Sequence, residues 1–259
     1  MSQWVIQGLR TGIKTTAYPR EQESAAGVSP GRPIATELPE QDAESLSARC
    51  PTGALKNSRE HLSVDFRRCI HCFRCARENS VSVRWEPGYE WAFMAGNNAR
   101  GSGCLPRTFE RSVHILVVDA GDCGACLNEV KQLNNPYYNF HRLGFFFTPS
   151  PRHADVLLVV GALAEQMRKP LQMAYDAMPA PKRVVAVGSC ALTGGIFGPS
   201  FACAGAVSKL LPVDVEVPGN PPPPLAILHG LLLLTGRKAS SFLDHDPAEQ
   251  ARFKLSKAS

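Results

Sequence analysis

The sequence lacks the features that identify several common classes of protein. It has no block of basic residues and no basic stripe interleaved with aromatic residues, which argues against a nucleic-acid partner. Its longest apolar stretch, residues 225–234, is shorter than the roughly 20 residues that span a bilayer, and it contains His229 and Gly230. No P-loop or GxGxxG motif occurs, and residues 119–123 lack a Ser/Thr-rich cradle for a flavin phosphate. We therefore expect no nucleotide, flavin or nucleic-acid site and no membrane-spanning segment.

The cysteines are the first informative feature that is present. The composition is that of a globular protein, with 44% hydrophobic residues, 20% charged residues and a net charge of +5. Residues 1–20 contain no apolar core of a secretory signal, so we expect a reducing, cytoplasmic setting. In that setting CxxC spacing suits a metal better than a structural disulfide. The nine cysteines are Cys50, Cys69, Cys72, Cys75, Cys104, Cys123, Cys126, Cys190 and Cys203.

Changes in composition divide the chain into five segments. Proline, glycine and serine in the first segment predict an irregular arm. The second segment contains the first four cysteines of the chain, which we call the first cysteine group. Glycine and asparagine in the third predict a linker. The fourth segment has an α/β pattern and contains the second cysteine group, Cys123, Cys126 and Cys190. The fifth segment is polar and is predicted to be a loose tail. The segments are residues 1–35, 36–90, 91–111, 112–238 and 239–259.

Short apolar runs alternate with helix-like stretches in the fourth segment. This alternation predicts an α/β domain with a flavodoxin-like parallel sheet that is covered by helices on both faces. Several cysteines follow the predicted strands, and open α/β sheets bind ligands at the carboxyl ends of their strands. We therefore expect these cysteines to meet at one sheet edge. The predicted strands are residues 113–118, 156–160, 184–187 and 214–217, and the predicted helices are residues 126–133, 162–178 and 202–211.

The first cysteine group has the spacing of an iron–sulfur ligand set. Cys69, Cys72 and Cys75 form a CxxCxxC run, and Cys50 is followed by proline, as in the CxxCxxCxxxCP runs of two-cluster bacterial ferredoxins. Residues 36–85 thus resemble such a ferredoxin. The resemblance implies a small α+β ferredoxin-like domain in which these four cysteines hold one [4Fe–4S] cluster. Zinc is the alternative, since four cysteines also suit zinc.

The ligands of the second ferredoxin cluster are absent as a complete set. Random loss would usually leave the ligand sets of both clusters incomplete. We therefore predict one cluster in this domain rather than two. The positions at which the two-cluster pattern requires the missing cysteines are Glu40, Ala43, Leu46 and Asn79.

Six segments carry a second resemblance, over residues 112–237. They are VDAGDCGACLNE (118–129), PSPRHADVLLVVG (149–161), GSC (188–190), GGIF (194–197), PVDV (212–215) and PGNPP (218–222). In this order they resemble the small, cluster-bearing subunits of energy-converting [NiFe] hydrogenases of the formate-hydrogenlyase type, and their relative in respiratory complex I. Residues 10–19, RTGIKTTAYP, resemble the start of the ferredoxin-like partner subunit, so the chain looks like a fusion of two electron carriers.

This resemblance implies a second [4Fe–4S] cluster, proximal to a catalytic subunit and held by Cys123, Cys126 and Cys190. The hydrogenase branch of the family has CxxC spacing where complex I relatives have adjacent cysteines, and the pair Cys123 and Cys126 is of the hydrogenase type. Glu129 matches a family glutamate beside that cluster and next to the large-subunit interface. Its alternative role is that of a solvated glutamate in the first turn of a helix.

One position departs from the family pattern. Asn220 stands where the family has the cysteine of a PGCPP turn, and an amide oxygen is a poor match for an iron–sulfide cluster. Three outcomes are open. Cys203 is the fourth ligand, or the cluster is altered with Asn220, water or nothing on one iron, or the site has lost its cluster.

The resemblance implies an electron-transfer subunit of a membrane-associated [NiFe] hydrogenase complex, peripheral on the cytoplasmic face of the membrane. A large subunit would perform the catalysis, because this chain has no paired CxxC motifs of the kind that hold nickel and iron. Membrane-arm subunits are expected as indirect partners, and a formate dehydrogenase or a ferredoxin as electron donor. The alternatives are a complex I-like subunit of an NADH- or ferredoxin:quinone oxidoreductase and a structural or assembly subunit with only the N-terminal cluster.

Overall fold

The computed structural model describes residues 2–23, 27–35, 39–58, 61–77, 83–95 and 104–239. The helices are α1 (Gln3–Thr11), α2 (Glu40–Arg49), α3 (Arg74–Arg77), α4 (Ala125–Gln132), α5 (Glu165–Ala177), α6 (Ser189–Thr193) and α7 (Pro224–Leu234). The strands are β1 (Arg32–Ala35), β2 (Leu55–Ser58), β3 (His61–Val64), β4 (Val83–Glu86), β5 (Phe93–Met94), β6 (Val113–Asp119), β7 (Phe145–Phe147), β8 (Val156–Val160), β9 (Leu163–Ala164), β10 (Arg183–Val187), β11 (Cys203–Gly205) and β12 (Val215–Val217).

A six-stranded sheet forms the centre of the molecule. Its order is β7-β6-β8-β10-β12-β5; the first five strands are parallel, and β5 is antiparallel to β12. Numbered along the chain, the parallel strands have the order 2-1-3-4-5, which is that of flavodoxin-like sheets. The predicted fold class is therefore confirmed. Strand β7 was missed, because a run of three phenylalanines has no alternation that marks a strand.

The sheet is covered on both faces, as the aliphatic character of β8 and β10 requires. Helices α4 and α7 cover one face, and α5 and α6 cover the other. Helix α7 accounts for the longest apolar stretch of the sequence, and all of its residues are buried in the core. Within the part of the chain that the structure describes, none of the helices has the length and apolar character needed to span a bilayer.

The N-terminal part contains small antiparallel sheets. Strand β1 pairs with β4, β2 pairs with β3, and α2 and α3 pack against these strands. Ala43 and Leu46 of α2 are buried together with Leu55, Leu62 and Val83 in a small core of their own. Two of the positions at which ferredoxin-type cysteines are missing therefore belong to an apolar core.

Three predictions about local structure are corrected. Residues 202–211 are not helical, because β11 pairs there with β9 and is followed by a single 3-10 turn, Val207–Lys209. Residues 1–35, predicted to be irregular, contain α1 and β1. The predicted linker, residues 91–111, begins with buried Trp91 and supplies β5 to the central sheet.

Some predictions lie outside the described residues. They concern the tail beyond residue 239, the centre of the predicted linker and Asn79. The domain boundaries drawn from the sequence stay predictions.

Candidate functional site

The first cysteine group lines one pocket in the N-terminal part. Cys50 follows α2, Cys69 and Cys72 lie in the irregular segment after β3, and Cys75 belongs to α3. All four line the same pocket, together with apolar side chains that include Trp85. The structure therefore brings these four predicted ligands together.

The thiols of the first group differ in their pKa. Burial raises the pKa of Cys69 to about 12, and the neighbouring Cys75, Cys50 and Cys72 add to the rise. Burial also acts to raise the pKa of Cys50, but hydrogen bonds from the backbone outweigh it and lower the value. One of these comes from Ala54 N–H to Cys50 Sγ at 3.2 Å. A thiol with a raised pKa, such as that of Cys69, would release its proton when a cationic iron–sulfide core binds.

The second cysteine group lies at the carboxyl edge of the central sheet. Cys123 and Cys126 follow β6, and Cys190 follows β10 in α6. The turn that holds the first pair is ordered by two carboxylates. Asp119 Oδ1 accepts hydrogen bonds from Gly121 N–H at 2.9 Å and from the next residue at 2.6 Å, and Asp122 Oδ2 accepts from Gly124 N–H at 3.0 Å.

These cysteines influence one another electrostatically. Cys126 is 1% exposed, and burial is the first cause of its raised pKa, followed by Asp122, Cys190 and Cys123. Burial also raises the pKa of Cys190, with contributions from Cys123, Asp122 and Cys203. The structure thus groups Cys123, Cys126 and Cys190 near Asp122, and Cys203 is near enough to Cys190 to add to its raised pKa.

Two glycines leave the space that the sulfur atoms of this group occupy. A Cβ at Gly188 would lie 2.6 Å from Cys126 Sγ, and a Cβ at Gly195 would lie 2.6 Å from Cys190 Sγ. Both glycines have a positive φ, at 90° and 57°. Backbone close to sulfur and thiols in a shared cradle are compatible with an iron–sulfur cluster.

Asn220 faces the first cysteine group. Its Nδ2 donates a hydrogen bond to the Ile70 carbonyl oxygen at 3.1 Å, within the segment that connects Cys69 to Cys72. The amide nitrogen is therefore already engaged. Cys203, the other candidate fourth ligand, is buried in β11.

Glu129 lies one turn after Cys126 in α4. Burial raises the pKa of its carboxyl, and the carboxyl in turn raises the pKa of Tyr138, after burial as the main cause. The half-buried position differs from that of a fully solvated helix glutamate. Its predicted role beside a cluster stays a prediction.

The two cysteine groups are joined by a short polar junction. Ser189 Oγ donates to the Cys69 carbonyl oxygen at 2.7 Å, and Ser189 is the neighbour of Cys190 in the chain. Nearby, Arg67 Nη2 donates to Glu216 Oε1 at 2.7 Å. One side of the junction therefore carries ligand candidates of the first group and the other carries a ligand candidate of the second.

Sequence reasoning missed Asp122 and the pair formed by Arg67 and Glu216. Asp122 had no signal other than its position between glycine and Cys123. Glu216 did have one, because an acidic residue within an apolar strand is rarely buried without a partner. Among the described residues, no group of three or more His, Cys, Asp or Glu side chains is arranged to hold a single metal ion.

Comparison with known proteins covers the second cysteine group and its sheet. The family described as "NADH ubiquinone oxidoreductase, 20 Kd subunit" matches residues 123–234. A probable membrane-bound hydrogenase subunit of Pyrococcus furiosus is 37% identical over 140 residues, which cover 54% of this chain and 84% of that protein. An NADH-quinone oxidoreductase subunit of Carboxydothermus hydrogenoformans is 39% identical over 139 residues, which cover 53% of this chain and 76% of that protein.

The chain belongs to the family of the 20-kDa subunit of NADH:ubiquinone oxidoreductase.

A further member of this family extends the comparison towards hydrogenases. Formate hydrogenlyase subunit 7 of Escherichia coli is 37% identical over 152 residues, which cover 56% of this chain. The chain spans about 60% of the length of that relative. The family match begins at Cys123, so the N-terminal part with the first cysteine group lies outside it.

Proposed function

We propose that this protein is an iron–sulfur electron-transfer subunit of a membrane-associated [NiFe] hydrogenase-type complex. The observation that carries the proposal is the junction of the two cysteine groups. Cys69 of the first group accepts a hydrogen bond from Ser189, which immediately precedes Cys190 of the second. Membership of a family that includes hydrogenase and quinone-oxidoreductase subunits supports the same function.

The residues of this chain fit two iron–sulfur centres. Cys50, Cys69, Cys72 and Cys75 would hold an N-terminal [4Fe–4S] cluster in a pocket that is lined mainly by apolar side chains. A second [4Fe–4S] cluster would be held by Cys123, Cys126 and Cys190, with Cys203 as the candidate fourth ligand. Such clusters supply one-electron transfer when bound.

The chain's own residues would position the two centres and set their charge. Ser189 binds the Cys69 carbonyl and keeps the ligand-bearing segments in contact. The Asp122 carboxylate adds negative charge to the second group, and negative charge near a cluster lowers its reduction potential. Backbone N–H groups directed at Cys50 act in the opposite direction on the first group.

The proposal includes partners. A large subunit with two nickel-binding CxxC pairs would perform the catalysis, because this chain has no paired CxxC motifs of the kind that hold nickel and iron. Membrane-arm subunits would attach the complex to the cytoplasmic face of the membrane, and a formate dehydrogenase or a ferredoxin would be the electron donor. The hydrogenase-type CxxC at Cys123 and Cys126 favours this partner over a quinone-reducing one.

Metal analysis of the full chain tests the proposal. After anaerobic purification with its co-expressed large subunit, we expect about eight iron atoms and eight sulfides per chain, and electron paramagnetic resonance signals of two reduced centres. About four iron atoms would instead support a structural or assembly role with only the N-terminal cluster. Colourless protein that contains zinc, or no metal, would refute the proposal.

A further inference from the structure

The turn that follows β12 holds the first cysteine group through a side chain. Asn220 Nδ2 donates to the Ile70 carbonyl oxygen at 3.1 Å. A carbonyl oxygen only accepts hydrogen bonds, so the group that faces it must be the amide nitrogen of Asn220. Ile70 directly follows Cys69, and this contact therefore reaches the ligand-bearing loop, residues 69–72.

The turn that presents Asn220 is itself fixed from two sides. The Gly219 carbonyl oxygen accepts a hydrogen bond from Ser189 N–H at 2.8 Å, within the central domain. The Pro218 carbonyl oxygen accepts one from Trp91 Nε1 at 2.8 Å, and Trp91 is buried in the core. The backbone that carries Asn220 is thus held at a defined position, and little backbone freedom remains to be lost when the side chain binds the loop.

A second side chain binds the adjacent carbonyl of the same loop. Ser189 Oγ donates to the Cys69 carbonyl oxygen at 2.7 Å. Two successive carbonyls of the loop 69–72 are therefore bound from two turns at the carboxyl edge of the sheet. Both turns belong to the second cysteine group, because one leads into Cys190 and the other has Asn220 at the position of the family's cysteine.

We propose that Asn220 is a positioning residue that docks the loop 69–72 onto the second cysteine group, rather than a ligand of the second cluster. This inference rests on the proposed function, since the loop and the sheet edge would carry the two electron-transfer centres. Where the family has a cysteine whose thiol would bind the cluster, this turn has an amide whose N–H group donates a hydrogen bond to the Ile70 carbonyl oxygen. The fourth thiolate of the second site would then come from elsewhere.

The test compares Asn220→Ala with Asn128→Ala in the full chain, purified anaerobically with its co-expressed large subunit. Asn128 is exposed on α4 and serves as a matched asparagine control. The measurements are iron per chain, hydrogen exchange of the amides in residues 66–72, and the magnetic interaction between the reduced centres. Asn220→Asp is a second, nearly isosteric variant that is expected to fold even if the alanine variant does not.

Asn220→Ala should leave the iron content unchanged and accelerate hydrogen exchange in residues 66–72 by about fivefold, the equivalent of the ~1 kcal/mol that one hydrogen bond contributes. The magnetic interaction between the centres should weaken. Asn220→Asp should accelerate exchange at least as much, because a carboxylate cannot donate to the Ile70 carbonyl. Asn128→Ala should change none of the three measurements.

Two results would overturn the inference. A loss of iron in Asn220→Ala without faster exchange would identify Asn220 as a ligand, and unchanged exchange in both Asn220 variants would remove the docking role. Failure of the proposed function is distinguishable from these results. Wild-type protein without iron would refute electron transfer, whereas the exchange comparison would still decide whether Asn220 docks the loop.

Discussion

The two cysteine groups are built in different ways. In the first, Cys69, Cys72 and Cys75 lie within one short segment, and the scaffold consists of two-stranded sheets and short helices. In the second, the cysteines come from the segments that follow β6 and β10, and these two strands lie near each other only because both pair with β8. A CxxCxxC run within one segment can be recognised from its spacing. A ligand set that is assembled at a sheet edge depends on the whole topology.

The two scaffolds also differ in how far their folding is expected to depend on a bound cluster. Isolated two-stranded sheets are marginally stable, so the N-terminal part is expected to depend on its cluster for folding. The second group lies on a sheet that is buried on both faces, and this core is expected to keep its shape without metal. Variants directed at one group at a time should therefore give unequal effects.

The largest effect is expected from Cys72→Ser in the first group. Loss of one ligand should remove the N-terminal cluster, which corresponds to about four iron atoms per chain, and loosen residues 39–77 while the central sheet stays folded. Iron analysis and hydrogen exchange measure both changes. Cys104→Ser is the control, since Cys104 lies outside both groups and contacts the Leu233 carbonyl. Equal iron in the two variants would contradict the assignment of Cys72.

The reciprocal change is Gly195→Ala in the second group. Its added Cβ would lie 2.6 Å from Cys190 Sγ, so we expect loss of the second centre's paramagnetic signal and retention of the first. Gly198→Ala is the control that distinguishes the effect of a close contact with Cys190 Sγ from the effect of backbone strain. Gly198 has a similar φ of 60° but nothing within 4 Å of its Cβ position, and this variant should keep both signals. Loss of the signal in both variants would show that strain alone is responsible.

A smaller effect is expected where the two regions meet. Arg67→Met removes one ion-pair partner of Glu216, whose side chain is 7% exposed. We expect about 2 kcal/mol of local destabilisation, below the roughly 3–5 kcal/mol of fully buried pairs, because Arg67 itself is 36% exposed. Hydrogen exchange in β12 and residues 66–72 measures it. Lys56→Met is the control, since Lys56 forms a longer and more exposed pair with Asp65, at 3.7 Å, and its loss should cost less than about 1 kcal/mol. Similar losses in both variants would argue against the junction.

The smallest effect is expected from Asp122→Asn. The amide keeps an oxygen acceptor for the Gly124 N–H but removes a negative charge beside Cys126 and Cys190. The reduction potential of the second centre should rise by an amount on the order of 50 mV, and that of the first should not change. Redox titration followed by paramagnetic resonance separates the two centres. An equal shift in both would mean that Asp122 does not distinguish them.

Much of the central domain was predictable from sequence, and most of its exceptions have physical causes. Strand β8 was predicted at its observed bounds because an uninterrupted aliphatic run is buried on both faces. The helix predicted at residues 202–211 was wrong, because small residues fit both a helix and a strand. Pairing with β9 decides that part of this segment is a strand. The apolar run of α7 was recognised as too short for a membrane, but only packing shows that it is a core helix.

By itself the sequence determined the spacing of the first cysteine group and the order of apolar strands that places the second group at one sheet edge. It could not show that Asn220 and Ser189 reach the carbonyls of Ile70 and Cys69. Those contacts join residues about 120 to 150 positions apart, and local propensity carries no information about such distant backbone partners. Only the tertiary structure brings the two groups into contact, because hydrogen bonds between distant segments form where packing leaves donors and acceptors opposite one another.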